Sequence, residues 1–260
     1  MGALKIEGII FRSEDFEESA KLLQVFSKQY GLLNIYAPGV NKEASKNKYS
    51  VQTLSLSEFE IFKARSETKF SKLKTGNLIN NFGQISKNYQ NYIYMSVLVN
   101  VLSQLLEYGQ KKNLIYNAFK TVIININNNH QAFINYVMFL LYYVQNSEYK
   151  MRLDRCSRCK KNDQKMVRFE YSDKTLICKR CLWPEETIQT ESFVDIFYIQ
   201  SKLGFLKMLE FNYHFDDLIA LHIFLIDYLN NDLGVFIVNL DYLKKSALMK
   251  LNDNKMLKYK

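Results

Sequence analysis

Along the chain the spacing of apolar positions changes period once, and that change divides the molecule. Residues 4–12 alternate, with Ile6, Gly8 and Ile10 on one side and Glu7, Ile9 and Phe11 on the other. That period of two predicts a strand. An acidic turn is expected over 13–18, then strands over 20–27 and 32–37, with Gly31 at the turn between them. Pro38-Gly39 opens a polar, lysine-bearing loop to about Tyr49. Two further strands are expected over 53–62 and 70–75. Five short strands and one long loop suit a small closed barrel of the OB type.

From Ser86 the apolar residues recur at three and four. Tyr92, Met95, Val99, Leu102, Leu105 and Leu106 form one helical stripe, Leu114, Ala118, Phe119 and Val122 a second, and residues 130–144 a third. Asn125 to Asn129 is the connection before the third. Helical spacing resumes over 193–198, 202–209 and 216–229. Gly234 follows as a stop signal. The predicted class is α+β. A barrel domain spans 1–78, and a helical domain is built from 79–151 and 184–250. Residues 152–183 are inserted in the helical domain, with the ribbon projecting from it, and 251–260 form a polar tail.

All four cysteines lie in that insertion, as Cys156-Ser157-Arg158-Cys159 and Cys178-Lys179-Arg180-Cys181. Two C-x-x-C knuckles separated by an eighteen-residue excursion have the spacing of a four-cysteine zinc ribbon. The excursion contains a predicted hairpin, Lys165–Tyr171 and Thr175–Ile177 around Ser172-Asp173-Lys174. Four thiolates fill the tetrahedron that Zn²⁺ prefers and leave no open position, so the expected ion is structural. A thioredoxin-like pair would need one knuckle beside a βαβ pattern, and paired disulfides would need an oxidising compartment.

Charge then adds direction. The formal net charge is +9. Residues 150–181 carry eleven Lys/Arg against four Asp/Glu, whereas 182–260 carry eight against eleven. A basic surface attracts polyanions. The candidate nucleic-acid contacts are Arg12, Lys28, Lys42, Lys46, Lys48, Arg65 and Lys69 on the barrel. On the ribbon they are Arg152, Arg155, Arg158, Lys160, Lys161, Arg168, Lys179 and Arg180. Tyr30, Tyr36 and Phe59 are candidate stacking platforms, as aromatics are in barrels that bind single strands. The apolar runs fall short of the roughly 20 residues that span a bilayer. A soluble, cytoplasmic protein with reduced thiols is the expectation, with no membrane association. No P-loop, G-x-S-x-G or H-E-x-x-H motif occurs. His130, His214 and His222 stand in apolar or helical contexts. An enzyme is not expected.

The order of these features resembles one family, the bacterial recombination mediators of the RecO type. Glu7-Gly8-Ile9-Ile10 followed by Phe16-Glu17-Glu18-Ser19 is similar to the family's opening strand and turn. The segment from Phe26 to Leu33 resembles its second strand, basic turn and glycine. Ala37-Pro38-Gly39 stands at its turn into a basic loop, although here Lys42, Lys46 and Lys48 come slightly later. Leu153-Asp154-Arg155-Cys156 and the second knuckle resemble the ribbon of many members, and the segment from Tyr228 to Gly234 the closing helix. The resemblance implies a nucleoid-associated protein without turnover. Such proteins bind ssDNA and dsDNA, anneal complementary strands, pair with RecR, engage the C-terminal tail of single-strand-binding protein and help load RecA. A zinc-ribbon RNA-binding or transcription-associated protein is the alternative that the barrel and ribbon alone leave open.

Overall fold

A computed structural model describes residues 2–66, 69–237 and 240–246. The expected polar tail and the closing residues Val238 and Asn239 lie outside the described residues. Five strands come first: β1 (Leu4–Phe16), β2 (Ala20–Ser27), β3 (Gly31–Ala37), β4 (Leu56–Phe62) and β5 (Ser71–Asn80). They close into a barrel in the order β1-β2-β3-β5-β4. β1 is long enough to pair with two neighbours. Residues 4–9 run antiparallel to β4 and residues 8–16 to β2, with a bulge between Ile10 and Arg12. A bulge bends its strand and increases its twist, which is how one strand serves two partners around a corner. The predicted acidic turn is corrected here. The strand runs through Ser13 to Phe16, and only 17–19 turn. Lys21 pairs with Asp15 at 2.7 Å, and the Asn41 amide donates to the same carboxylate.

The barrel's interior holds Ile6, Ile10, Leu23, Val25, Leu33, Ile35, Phe59, Ile61 and Leu73, with Val40 and Val51 from the long loop. That loop is therefore a folded cap. Ser57 Oγ donates to the carbonyl of Ser50 at 2.9 Å, and Asn47 Oδ1 accepts from the backbone N–H of Gly76 at 3.0 Å. A Cβ on Gly76 would lie 2.3 Å from Ser50 Oγ, so glycine lets the loop lie against β5.

Helices α1 (Tyr89–Leu105) and α2 (Asn113–Asn127) belong to the same compact unit, which ends at residue 132. The reason is visible in β1 and β2, which are apolar on both faces. Phe11 and Phe26 point away from the barrel interior onto α2, with ring centroids 5.5 Å from Phe119 and 5.3 Å from Tyr116 respectively. Glu7 accepts from Tyr116 Oη at 3.0 Å and from Lys120 Nζ at 2.9 Å. Gly31 has φ +67, and a Cβ there would sit 1.9 Å from the carbonyl oxygen of Gln110. The expected α1 stripe is rotated by about one residue. Its buried face runs through Asn91, Tyr94, Met95, Leu98, Val101 and Leu102, while Tyr92 is exposed. Asn91 faces inward because its amide donates to the carbonyl of Ile126 at 3.0 Å. A satisfied buried amide is compatible with a core position.

The second unit begins at Phe133. It holds most of α3 (Ala132–Gln145), then β6 (Arg152–Cys156), β7 (Met166–Glu170) and β8 (Thr175–Cys178). Helices α4 (Glu191–Tyr198), α5 (Phe205–Met208) and α6 (Phe215–Asp227) follow, and residues 240–246 are helical. The three strands form one sheet in the order β6-β8-β7. The hairpin lies where the spacing predicts it. The helix expected over 202–209 is broken, because Leu203 and Gly204 are both extended. α3 is buried from Asn135 to Val144. Tyr136 Oη lies 3.3 Å from His222 Nε2, which makes His222 a core residue.

The ribbon does not project from the helices, contrary to the expectation. Phe169 of β7 stacks on Phe197 of α4, with centroids 3.8 Å apart and planes at 4°, and Phe224 of α6 meets it edge-on at 5.0 Å. Phe169 and Phe197 are fully buried. The ribbon supplies part of the core of its unit.

Candidate metal centre and nucleic-acid interface

The two knuckles are built by strand ends. Cys156 closes β6 and Cys178 closes β8, and both are buried. The chain then turns tightly at each. Lys160 N–H donates to the carbonyl of Cys156 at 3.0 Å, and Cys156 N–H to that of Lys161 at 2.9 Å. Lys160 takes a left-handed φ of +61 to make this turn. The second knuckle turns through a short 3-10 segment, Lys179–Cys181. The four Sγ atoms lie within 4.8 Å of one another. Cys159 and Cys178 Sγ are 3.8 Å apart, far beyond the roughly 2.05 Å of a disulfide.

The thiols are chemically unequal. Burial opposes ionisation of Cys156, but backbone N–H groups of Cys159, Cys178 and Arg158 outweigh it and bring the thiol down to about 6. Burial, then the neighbouring Cys159 and Cys178 thiols, push Cys181 up to about 12. Four thiolates at this spacing need a cation between them to be ionised together. The donor set and its convergence fit a bound metal ion.

The basic residues of the ribbon fall into two groups. Arg158 is committed to the scaffold. Its guanidinium forms a two-point ion pair with Glu186, donates to the carbonyl of Cys181, and lies 3.7 Å from the ring centroid of Trp183. That pair holds Glu186 down at about 2, with the Trp183 N–H adding to the effect. Arg168 is half-buried against Glu170 and the carbonyl of Thr187. Arg155 pairs with Asp154 at 2.6 Å, and Lys160 Nζ donates to the carbonyl of Ser157. Arg152, Lys161, Lys179 and Arg180 are exposed.

On the barrel, Arg12, Lys28, Lys42, Lys46, Lys48, Arg65 and Lys69 are all exposed. Three of them lie on the capped loop, whose buried valines fix its backbone while its lysines point outward. Of the aromatic candidates, Phe59 is overturned as a platform, because it is 1 % exposed inside the barrel core. Tyr36 meets Phe16 edge-on, and Tyr30 packs against the core with Lys63 Nζ 5.2 Å from its ring. Motif spacing does not single out Glu186 or Trp183. Trp183 is the chain's one tryptophan and stands two positions after the last cysteine, which is the signal the sequence offers for it.

Residues 1–82 match the family model described as Recombination protein O N terminal, and residues 86–188 the one described as Recombination protein O C terminal. Over 250 residues the chain is 31% identical to the DNA repair protein RecO of Mesoplasma florum, covering 96% of this chain and 94% of that protein. The chain belongs to the RecO family. It is also 28% identical over 251 residues to the DNA repair protein RecO of Mycoplasma mycoides subsp. mycoides, covering 95% and 98%. The protein of the same name from Oceanobacillus iheyensis is 24% identical over 201 residues, covering 76% of each chain. The first RecO model ends just after β5. The second runs from before α1 through the whole ribbon. In this RecO-family chain the four cysteines lie inside the stretch that the second model matches.

Proposed function

We propose that this chain is a recombination mediator of DNA repair that works without catalytic turnover. It binds ssDNA and dsDNA, anneals complementary strands and, with RecR, helps load RecA onto ssDNA coated by single-strand-binding protein, whose C-terminal tail it engages. It acts in the cytoplasm, at the nucleoid. The observation that carries this reading is its end-to-end likeness to proteins named DNA repair protein RecO. The exposed basic side chains support it chemically. Annealing needs two polyanions brought together with their repulsion screened, which phosphate contacts from lysine and arginine do without regard to sequence.

On this reading the DNA contacts are Arg12, Lys28, Lys42, Lys46, Lys48, Arg65 and Lys69 on the barrel. Arg152, Lys161, Lys179 and Arg180 are the contacts on the ribbon. Arg158 and Arg168 hold the ribbon's shape, and Arg155 and Lys160 contribute through local pairs. The ion held by Cys156, Cys159, Cys178 and Cys181 is Zn²⁺, which four thiolates select, and its role is structural.

The test is strand annealing with complementary oligonucleotides, without nucleotide or added divalent metal. The expected result is acceleration over the spontaneous rate that weakens as salt rises. Preference for structured RNA with no annealing would overturn the reading in favour of an RNA-binding role. Mg²⁺-dependent strand cleavage would overturn its non-enzymatic part.

A further inference from the structure

Large aromatics exposed singly are common, and most need no explanation. Trp183 is different. It is 56 % exposed, yet it is held at three points. Its backbone N–H donates to Glu186 Oε2 at 2.9 Å, its carbonyl accepts from Glu186 N–H at 3.1 Å, and Pro184 follows. The Arg158 guanidinium lies against one face of the indole at 3.7 Å from the centroid. Arg158 is itself fixed to Glu186 and to the carbonyl of Cys181. An aromatic ring fixed by a buttressed cation and still presented to solvent is preorganised for a ligand rather than for the core.

The ring borders a cleft of about 470 Å³. Ser157, Lys160, Ser172 and Asp173 line the rest of its polar wall. Two other carboxylates there, Glu170 and Glu186, are paired with Arg168 and Arg158. Exposed Lys179 and Arg180 precede Trp183 in the chain by a few residues. An aromatic face, the exposed Lys160 at the cleft as a cation for a phosphate, and hydroxyl and carboxylate groups for the edge of a ring together match an unstacked nucleotide.

We infer that Trp183, backed by Arg158, is a stacking platform for an unpaired base of single-stranded DNA. This rests on the DNA-binding reading above and adds a preference to it. A duplex keeps its bases stacked on one another, so the platform binds single strands and not intact double helix. Arg158 acts as a positioning residue through the indole.

Because Trp183 is the chain's one tryptophan, its emission reports this site alone. The full-length protein is titrated with oligothymidylate and, separately, with a duplex of equal length. Binding of both is followed independently by anisotropy of a labelled strand. The expected result is quenching of tryptophan emission by the single strand and little change with the duplex. Trp183→Ala should weaken single-strand binding by about five-fold or more and leave duplex binding within about two-fold. Trp183→Phe should recover most of the loss. Binding of the single strand with unchanged emission overturns the inference and leaves the DNA-binding reading intact. Equal losses for both forms in Trp183→Ala also overturn it. Binding of neither form to the wild-type protein defeats the underlying reading and the inference with it.

Discussion

The barrel and the ribbon are both small β-structures, and they are held by different forces. The barrel closes around its own apolar residues. Phe59, Ile35, Val25 and Ile10 are at most 1 % exposed, and two valines of a polar-looking loop join them. The ribbon has three short strands and a cluster of thiols, tied by the Arg158–Glu186 pair. Its largest buried ring, Phe169, packs against α4 and α6. A sheet that can bury its own face needs no ligand. One that cannot needs cover from elsewhere, here from neighbouring helices and from the metal ion that its four converging thiols fit.

The largest expected effect separates the two directly. Chelating the proposed zinc ion, or replacing Cys156 by Ser, should open residues 152–183 to protease, while slow-exchange amides of β1 and β2 should stay protected. The scale is that of structural zinc in isolated fingers, about 10–16 kcal/mol in apparent binding free energy. Equal loss of protection in both regions, read by hydrogen exchange, would erase the distinction.

Next come the aromatic anchors. Phe59→Ala and Phe169→Ala should each cost about 3–5 kcal/mol, the usual range for a buried phenylalanine. Phe59→Ala should loosen the barrel, and Phe169→Ala should loosen the ribbon together with α4 and α6. A denaturation profile in which Phe169→Ala affected the ribbon strands alone would deny the shared core.

Acid should then act unevenly. Glu186 is held at about 2 by Arg158, below its unfolded value near 4.3. Its stabilising contribution is therefore complete above the unfolded value and lost as pH falls through about 2. Acid also protonates the four thiolates, so the contribution of this pair is read as a difference: the rise in exchange at β6 and β8 across that window should be smaller in Glu186→Gln than in the unaltered protein. An identical acid response in the variant would remove this pair from the ribbon's supports.

The smallest stability effect is expected at the loop lysines. Replacing Lys42, Lys46 and Lys48 with Ala should change stability by no more than about 0.5 kcal/mol. The salt slope for single-strand binding should fall by about 0.7 per contact removed. An unchanged slope would take the loop off the DNA-contact list.

Much of this is readable from spacing alone. The five strands, the hairpin around Ser172 to Lys174 and the convergence of four cysteines follow from local pattern and local chemistry. What cannot be read depends on partners distant in the chain. Asn91 counts as polar until its amide meets the carbonyl of Ile126, which rotates the buried face of α1. Arg158 counts as one more ribbon cation until Glu186 and Trp183 claim it. Phe59 has the same sequence signature as a surface platform. Only barrel closure decides which side of β4 faces inward. Phe11 and Phe26 show why the barrel and α2 form one unit, because a strand apolar on both faces needs cover on both.

The Phe169 stack also sets an order of events during synthesis. The ribbon's cysteines all leave the ribosome before α4 and α6 do. A newly made chain can therefore bring its four thiols together before the rings that cover Phe169 exist. Until Phe197 and Phe224 are made, that ring has neither of these neighbours. Domains usually mature as the chain emerges. By the same logic, β7 can gain the cover of Phe224 only after α6 has been made. Arrested chains ending before Phe215 should bind zinc yet bind more of a hydrophobic dye than the finished protein. Dye binding no higher than that of the complete chain would show that the ring finds other cover.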